Sequence, residues 1–453
     1  MNSLSLEEIS VMCGAAPPRV GAEVRVRRLS KDSRTLVPGD LYLALRGGSF
    51  DGNAFVSAAL ARGAAAAIVD DPHAVADLPP DFPVILVEDS IAALYRLASS
   101  WRDRLALRVV SITGSNGKTS TKDFTAAVLG ARYRTIKTDG NLNNHIGLPL
   151  SILAAEAADE AAVWEIGMNH PGEIAPLAAL ARPDVGIVTN IGVAHIEHLG
   201  SREGIAREKA ALLEALKPGG VAIIPDGDDF ADFLASRTPA RVERVGGVDS
   251  PVRAESVEIM LEGTRFVLQA GGETHLVSLP VPGRHMVSNA LLAVAAGLAC
   301  GLTAAECAEG LSQVRTAGGR LTRRECRGVT FYDDTYNANP DSMVAALEFL
   351  KELRAEGRKI AVLGRMGELG LHAADGYAKV GRSAAEAVDF LVIVGAEARE
   401  LARAAHDGGL ARVKVVESPE SAASVLREFA EPGDLVLVKG SRSARMEGVL
   451  EAF

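Results

Sequence analysis

Cysteine is scarce in this chain. Cys13, Cys300, Cys307 and Cys326 are the only four in 453 residues, and no two of them form a C-x-x-C pair or a zinc spacing. That excludes a disulfide scaffold and a cysteine-based zinc module, and it predicts reduced thiols in a cytoplasmic setting. Positive charge is also in deficit: 48 Lys and Arg against 58 Asp and Glu leave a formal charge of −10. This is the wrong sign for a general binder of nucleic acid or of anionic membranes, although anionic small ligands respond to local rather than net charge. No apolar run is convincing as a bilayer span. Met286 to Leu302 comes nearest, but it is 17 residues long, contains Ser288, Asn289 and Gly297, and is better suited to a packed alanine-rich helix. The first eight residues lack the order of a secretory signal, while Ser5 and Glu8 suit a helix capping box. Internal repeats and low-complexity tracts are missing. A chain of this length exceeds what one core supports, so two or three domains are expected.

Three blocks emerge. Residues 1–100 mix strand-like runs (Asp40 to Leu45, Pro83 to Val87) with an alanine-rich helical run from Phe55 to Ala67. In 101–315, apolar strands at Arg108–Ile112, Ala161–Ile166, Val185–Thr189 and Val221–Ile224 alternate with amphipathic helices. Such alternation implies a mostly parallel sheet with both faces covered. In 316–453 the alternation resumes at Val329–Tyr332, Lys359–Leu363, Phe390–Val394 and Leu435–Val438, which reads as a second open α/β sheet.

The richest stretch is Thr113-Gly114-Ser115-Asn116-Gly117-Lys118-Thr119-Ser120, between the run Val109–Ile112 and a helical segment, Thr121 to Leu129. Strand, glycine-bearing loop and helix N-terminus together form a phosphate cradle: backbone N–H groups close on phosphate oxygens and the helix end adds partial positive charge. Lys118 suits the terminal phosphates and Thr119 offers a hydroxyl to Mg²⁺. The first glycine lies three residues before Gly117, closer than in the common G-x-x-x-x-G-K-[ST] pattern.

Ligands of open parallel sheets gather beyond the carboxyl ends of strands, and polar residues recur there. Glu165 ends an apolar run; it is either an edge residue facing water or a buried carboxylate that needs a partner or a metal. Thr189-Asn190-Ile191-Gly192 leads into His195 and His198, which are either plain loop histidines or metal ligands. Lys209 shares the face of Ile205, Leu212 and Leu213 on a helix that Ser201 opens and Pro218-Gly219 stops. An inward lysine either snorkels outward along its stem or serves a site. Asn339 suits an N-cap and Pro340 the first helical position. Capping leaves Asp333, Asp334, Tyr336 and Asn337 for ligands.

The loop Thr113–Ser120, with Gly140-Asn141-Leu142-Asn143-Asn144-His145-Ile146-Gly147-Leu148-Pro149, Glu165-Ile166-Gly167-Met168-Asn169-His170-Pro171-Gly172-Glu173 and Asp334-Thr335-Tyr336-Asn337-Ala338-Asn339-Pro340-Asp341-Ser342-Met343, closely resembles the Mur ligases of peptidoglycan synthesis. The likeness covers essentially the whole chain and is strongest to the branch that joins D-alanyl-D-alanine to UDP-N-acetylmuramoyl-tripeptide. It implies an α/β protein of three domains: a small UDP-binding domain (1–100), a central P-loop ATPase-like parallel-sheet domain (101–315), and a Rossmann-like C-terminal domain (316–453). It implies an ATP-dependent ligase of cell-wall precursor synthesis, acting in the cytoplasm as a monomer on small molecules, without nucleic acid or membrane insertion.

By the same resemblance, Gly114, Ser115, Asn116, Gly117, Lys118, Thr119 and Ser120 hold the ATP phosphates, Asn289 meets adenine, Arg320 the phosphates and Asp334 the ribose. Thr119, Glu165, His195 and Lys209 serve Mg²⁺, with Lys209 as a carbamate, and Lys118, Glu165, His195 and Lys209 form the catalytic group. Asp32, Ser33, Arg34 and Asp51 face the UDP-sugar, Asn141 and Asn144 bind substrate, and Tyr336, Asn337 and Asn339 shape the acceptor side. Three features depart from the pattern: Arg365 stands where aspartate is usual, Asn53 where histidine is usual, and the segment Leu371-His372-Ala373-Ala374-Asp375 is shortened. The rival readings are a sibling ligase (third-residue-adding or folylpolyglutamate synthase-like) and a non-catalytic nucleotide-binding regulator on the same fold.

Overall fold

The computed structural model describes residues 3–48, 50–76, 78–315, 318–395 and 399–453. The expected boundary at 315/316 abuts Thr316, which lies outside the described residues, as do Met1 and Asn2. The chain forms two compact units: Met1–Val109 with Tyr133–Ile166 and Pro176–Pro183, and Val110–Arg132 with Gly167–Ala175 and Asp184–Phe453.

In the first unit, the strands Leu29–Ser30, Leu41–Leu43, Ala66–Val69 and Val84–Leu86 form a four-stranded, wholly parallel sheet. Leu36, Tyr42, Val56, Ala59, Ala67 and Val69 pack one face of it. The expected helix over Phe55–Ala67 is shorter: it spans Val56–Ala61, and Ala66–Val69 is a strand. The Gly63 N–H closes the helix end on the Leu60 carbonyl, after which β-branched Ile68 and Val69 favour extension. The same unit contains Thr135–Lys137 paired in parallel with Ala161–Glu165. The capping box at the first helix forms as read, with Ser5 N–H donating to Glu8 Oε2 (2.8 Å) and Glu8 N–H to Ser5 Oγ (3.1 Å).

In the second unit, Val110–Thr113, Val185–Val188, Val221–Pro225 and Arg241–Val245 run parallel. The helix Arg284–Ala299 is buried along most of its length, as its alanines allow. Among the described residues no helix is long and apolar enough to cross a membrane. An antiparallel meander, Arg253–Met260, Gly263–Ala270 and Glu273–Leu279, interrupts the α/β alternation. The last sheet has the order Thr322–Cys326, Val329–Asp334, Leu435–Lys439, Lys359–Leu363, Phe390–Val394, Val413–Val416, with only its first pair antiparallel. Its core contains Phe331, Val362, Val392, Leu426 and Val438. Three of its parallel strands therefore deliver Asp334, Gly364 and Lys439 to one edge.

Candidate functional site

The strand Arg108–Thr113 hands over to the phosphate loop, and the helix Lys118–Gly130 follows. Both loop glycines are required by space. A Cβ on Gly114 (φ +153) would stand 1.8 Å from Thr189 Oγ1, and one on Gly117 (φ +79) would stand 2.5 Å from Asn289 Oδ1. The loop is braced by the end of the next parallel strand. Ser115 N–H donates to the Asn190 carbonyl (3.0 Å) and Asn116 N–H to Asn190 Oδ1 (3.0 Å). Thr189 Oγ1 (2.5 Å) and Asn190 Nδ2 (3.1 Å) both donate to the Asn116 carbonyl. Lys118 Nζ curls back onto the carbonyls of Gly114 (2.7 Å) and Ser115 (3.3 Å). Thr119 and Ser120 are buried in the first helical turn, and Asn289 is buried against the loop.

Lys209 is fully buried on the helix Arg202–Glu214, so it does not snorkel. Its Nζ has no hydrogen-bond partner among the described residues. Burial, reinforced by the charge of Lys118 and opposed by Glu208, drives this amine well below the ordinary lysine range. A neutral buried amine is expensive to leave unsatisfied. Glu208, on the neighbouring helical face, instead accepts the N–H groups of Gly172 (2.8 Å) and Ile174 (2.9 Å).

His195 adopts φ +62 at the start of the helix Ile196–Leu199, and its Nδ1 lies 2.5 Å from Glu368 Oε2. The contact holds the Glu368 carboxyl below its usual range, against the effect of burial. His198 packs its ring on His170, with centroids 4.6 Å apart. Among the described residues no three His, Cys, Asp or Glu side chains converge as a metal cluster.

The segment after Val329–Asp334 does two jobs. Asn339 caps the helix Pro340–Glu352, accepting from Ser342 N–H (3.0 Å), and its Nδ2 donates to Asn116 Oδ1 of the phosphate loop (2.7 Å). Asp341 accepts the Val193 N–H (3.0 Å) and Lys379 Nζ (2.9 Å). Asp333, expected to be open to ligands, is not: it is buried, accepting from Thr335 Oγ1 (2.7 Å) and paired with Arg324 (2.9 Å). Asp334 pairs with Lys439 Nζ (2.5 Å), which also donates to the Asn337 carbonyl (3.1 Å). Arg320 lies over the Tyr336 ring, 4.2 Å from its centroid.

The first unit carries the remaining residues. Glu165 is buried, not solvent-facing. It accepts Asn143 Nδ2 (2.8 Å), while its own N–H donates to Thr138 Oγ1 (3.0 Å). Asn144 Oδ1 accepts the N–H groups of Ile146 (3.1 Å) and Gly147 (2.9 Å), and Asn141 is exposed. Asp32 and Arg34 form a bidentate pair (2.9 and 2.7 Å) that draws the Asp32 carboxyl down to about 2, and Ser33 between them is half-buried. Asp51 and Asp70 are bridged by Asn53, whose Nδ2 donates to both (2.8 and 2.7 Å).

Sequence reasoning assigned no role to Lys439, Asn190, Asn143 or Glu368. Lys439 closes an apolar strand run and Asn143 sits inside a quoted motif, so both carried a signal. Glu368 sits in the family-like run Leu363–Gly370, but its contact with His195, remote in sequence, had no signal.

The models of the Mur ligase catalytic domain, middle domain and glutamate ligase domain match residues 25–102, 112–297 and 319–442. The chain is 37% identical to the UDP-N-acetylmuramoyl-tripeptide--D-alanyl-D-alanine ligase of Bacillus subtilis, over 94% of this chain and 93% of the relative. A crystal structure of MurF from Acinetobacter baumannii is 31% identical with a TM-score of 0.90, covering 100% of this chain and 99% of that one. MurF from Thermotoga maritima, solved in complex with ADP, is 30% identical with a TM-score of 0.83 over 94% and 97% of the two chains. The chain belongs to the Mur ligase family, on its MurF branch.

Proposed function

We propose that this protein uses ATP to join D-alanyl-D-alanine to the peptide carboxylate of UDP-N-acetylmuramoyl-tripeptide, releasing ADP and phosphate. The observation that carries the reading is the braced phosphate loop in a chain that matches ligases of that specificity over nearly their whole length. Residues 1–100 hold the UDP-sugar through Asp32, Ser33, Arg34 and Asp51, with Asn141 and Asn144 contributing. Residues 101–315 hold ATP through Gly114 to Ser120 and Asn289. Residues 316–453 bring Arg320 to the phosphates, Asp334 to the ribose, and Tyr336, Asn337 and Asn339 to the acceptor dipeptide.

In this reading a carboxylate oxygen of the tripeptide attacks the γ-phosphorus, the bond to ADP breaks, and an acyl phosphate forms. The dipeptide amine then attacks the acyl carbon, loses a proton, and phosphate leaves with the carboxylate oxygen. No protein nucleophile is needed, so the protein's task is positioning and charge compensation. Lys118 leaves its loop carbonyls for the phosphates, and the helix N-terminus adds partial positive charge. Asn339 and Asp341, which reach the loop and Val193, favour an arrangement that keeps water off the reactive acyl group.

The orphaned Lys209 amine fits a magnesium site: carbamylated, it offers an oxygen anion where the structure has an unsatisfied donor. Thr119, His195 and the carbamate would hold the ion, and Glu165 carries the same assignment by resemblance. Magnesium is usually held by few protein ligands together with substrate phosphates, which suits a site without a preformed cluster. When bound, it neutralises charge developing on the phosphate oxygens.

The test is phosphate release with UDP-muramoyl tripeptide and a panel of amine acceptors. Release should require D-alanyl-D-alanine and should vanish in Lys118→Ala; near-normal release from that variant overturns the assignment of the loop.

A further inference from the structure

Among the described residues the Arg320 guanidinium has no hydrogen-bond partner and no ion pair, although its Nε is enclosed. What it meets instead is a ring: Cζ lies over Tyr336, 4.2 Å from the centroid. The backbone sets this pairing. The strands Thr322–Cys326 and Val329–Asp334 are antiparallel, with Thr322 opposite Asp333. The pairing reaches past both strand ends, since the Tyr336 N–H donates to the Gly319 carbonyl (3.2 Å). The crossing requires glycine: at φ +75, a Cβ on Gly319 would stand 3.2 Å from the Tyr336 nitrogen and 3.4 Å from its Cβ. On the other side of Arg320, buried Leu321 is left-handed at φ +52. A residue other than glycine keeps that conformation only where its surroundings impose it. Arg320 is thus held between two left-handed residues, with its guanidinium at the ring.

A guanidinium carries its N–H donors in its plane and none on its faces. A carboxylate partner would fix the group by occupying those donors. A ring against one face restrains it and leaves them all available, which suits a planar fork that receives phosphate oxygens. We propose that Tyr336 is a positioning residue for Arg320, its ring presenting the guanidinium to the phosphates of ATP. This rests on the assignment of Arg320 to the phosphates made above, and it gives Tyr336 a task besides its place on the acceptor side. Ordering a long side chain on binding costs rotamer freedom. A guanidinium already set against the ring lets the nucleotide bind without that cost.

The test is calorimetry on the full chain with a non-hydrolysable ATP analogue and Mg²⁺, in the absence of tripeptide and dipeptide. A cation over an aromatic ring is typically worth a factor of about 3–30 in affinity. Tyr336→Leu should weaken binding of the analogue by that factor, whereas Tyr336→Phe, which keeps the ring, should bind it as the parent does. In an Arg320→Ala background Tyr336→Leu should cost nothing further, since the ring acts through the guanidinium. Should Tyr336→Leu fail to fold, Tyr336→Met replaces it with the same expectations. Unchanged affinity in the variant without a ring, which a role confined to the dipeptide would give, overturns the proposal. So does an equal loss in Tyr336→Phe, or losses that add across the double variant. If Arg320→Ala itself binds the analogue normally, the phosphate assignment of Arg320 falls first and takes this inference with it.

Discussion

Lys209→Met separates what the buried lysine costs the fold from what it does. The side chain is fully enclosed, its amine has no hydrogen-bond partner among the described residues, and burial holds it well below the ordinary lysine range. Methionine fills similar volume without the unsatisfied donor, whose burial costs roughly 1–3 kcal/mol. In CO₂-depleted buffer the variant should therefore be more stable than the parent by about that amount near pH 10.4 and by more at lower pH, while its ligase turnover is lost. The pH dependence has a fixed sign. Between the depressed folded pKa and the unfolded value near 10.4, the unfolded chain binds a proton that the folded one does not. The parent should gain stability relative to the variant as pH rises through that window, with a limiting slope of about 1.4 kcal/mol per pH unit. Urea titrations of both proteins at several pH values, with and without bicarbonate, measure this. A variant less stable than the parent in CO₂-depleted buffer, or one that keeps normal turnover, refutes the reasoning.

Other perturbations follow from the same contacts. Gly114→Ala places its Cβ against Thr189 Oγ1 in a conformation reserved for glycine. At roughly 1–3 kcal/mol of strain, ADP affinity by calorimetry should fall about 10-fold or more. Lys439→Met strands the Asp334 carboxylate beside a strand end and should cost about 3–5 kcal/mol in urea unfolding, most of it recovered in Lys439→Met with Asp334→Asn. Asn53→Ala removes the amide that bridges Asp51 and Asp70, and should cost about 1–3 kcal/mol by the same measurement.

Apolar runs and loop chemistry were the legible part of this fold. Val185–Val188 and Phe390–Val394 are buried strands of parallel sheets, and such runs announce themselves by hydrophobicity alone. The meander Arg253–Leu279 escaped because its strands are half-exposed and charged, so no continuous run marks them. Val413–Val416, an edge strand, was missed for the same reason. At the site, Lys209 stood out because a charge on an apolar helical face contradicts the local pattern. Asp333 misled: it shares the polar character of Asp334, yet it turns inward to Thr335 and Arg324, and a neighbour's side-chain direction is not written in composition. Asn339 shows that one side chain can both cap a helix and touch the phosphate loop, a contact across 223 positions that only the fold reveals.

The most direct test of the central claim follows one oxygen. Tripeptide substrate labelled with ¹⁸O in its terminal carboxylate is turned over with ATP and D-alanyl-D-alanine, and the released phosphate is analysed by mass spectrometry. Activation through an acyl phosphate predicts one ¹⁸O in each phosphate formed; phosphate free of label would contradict the account.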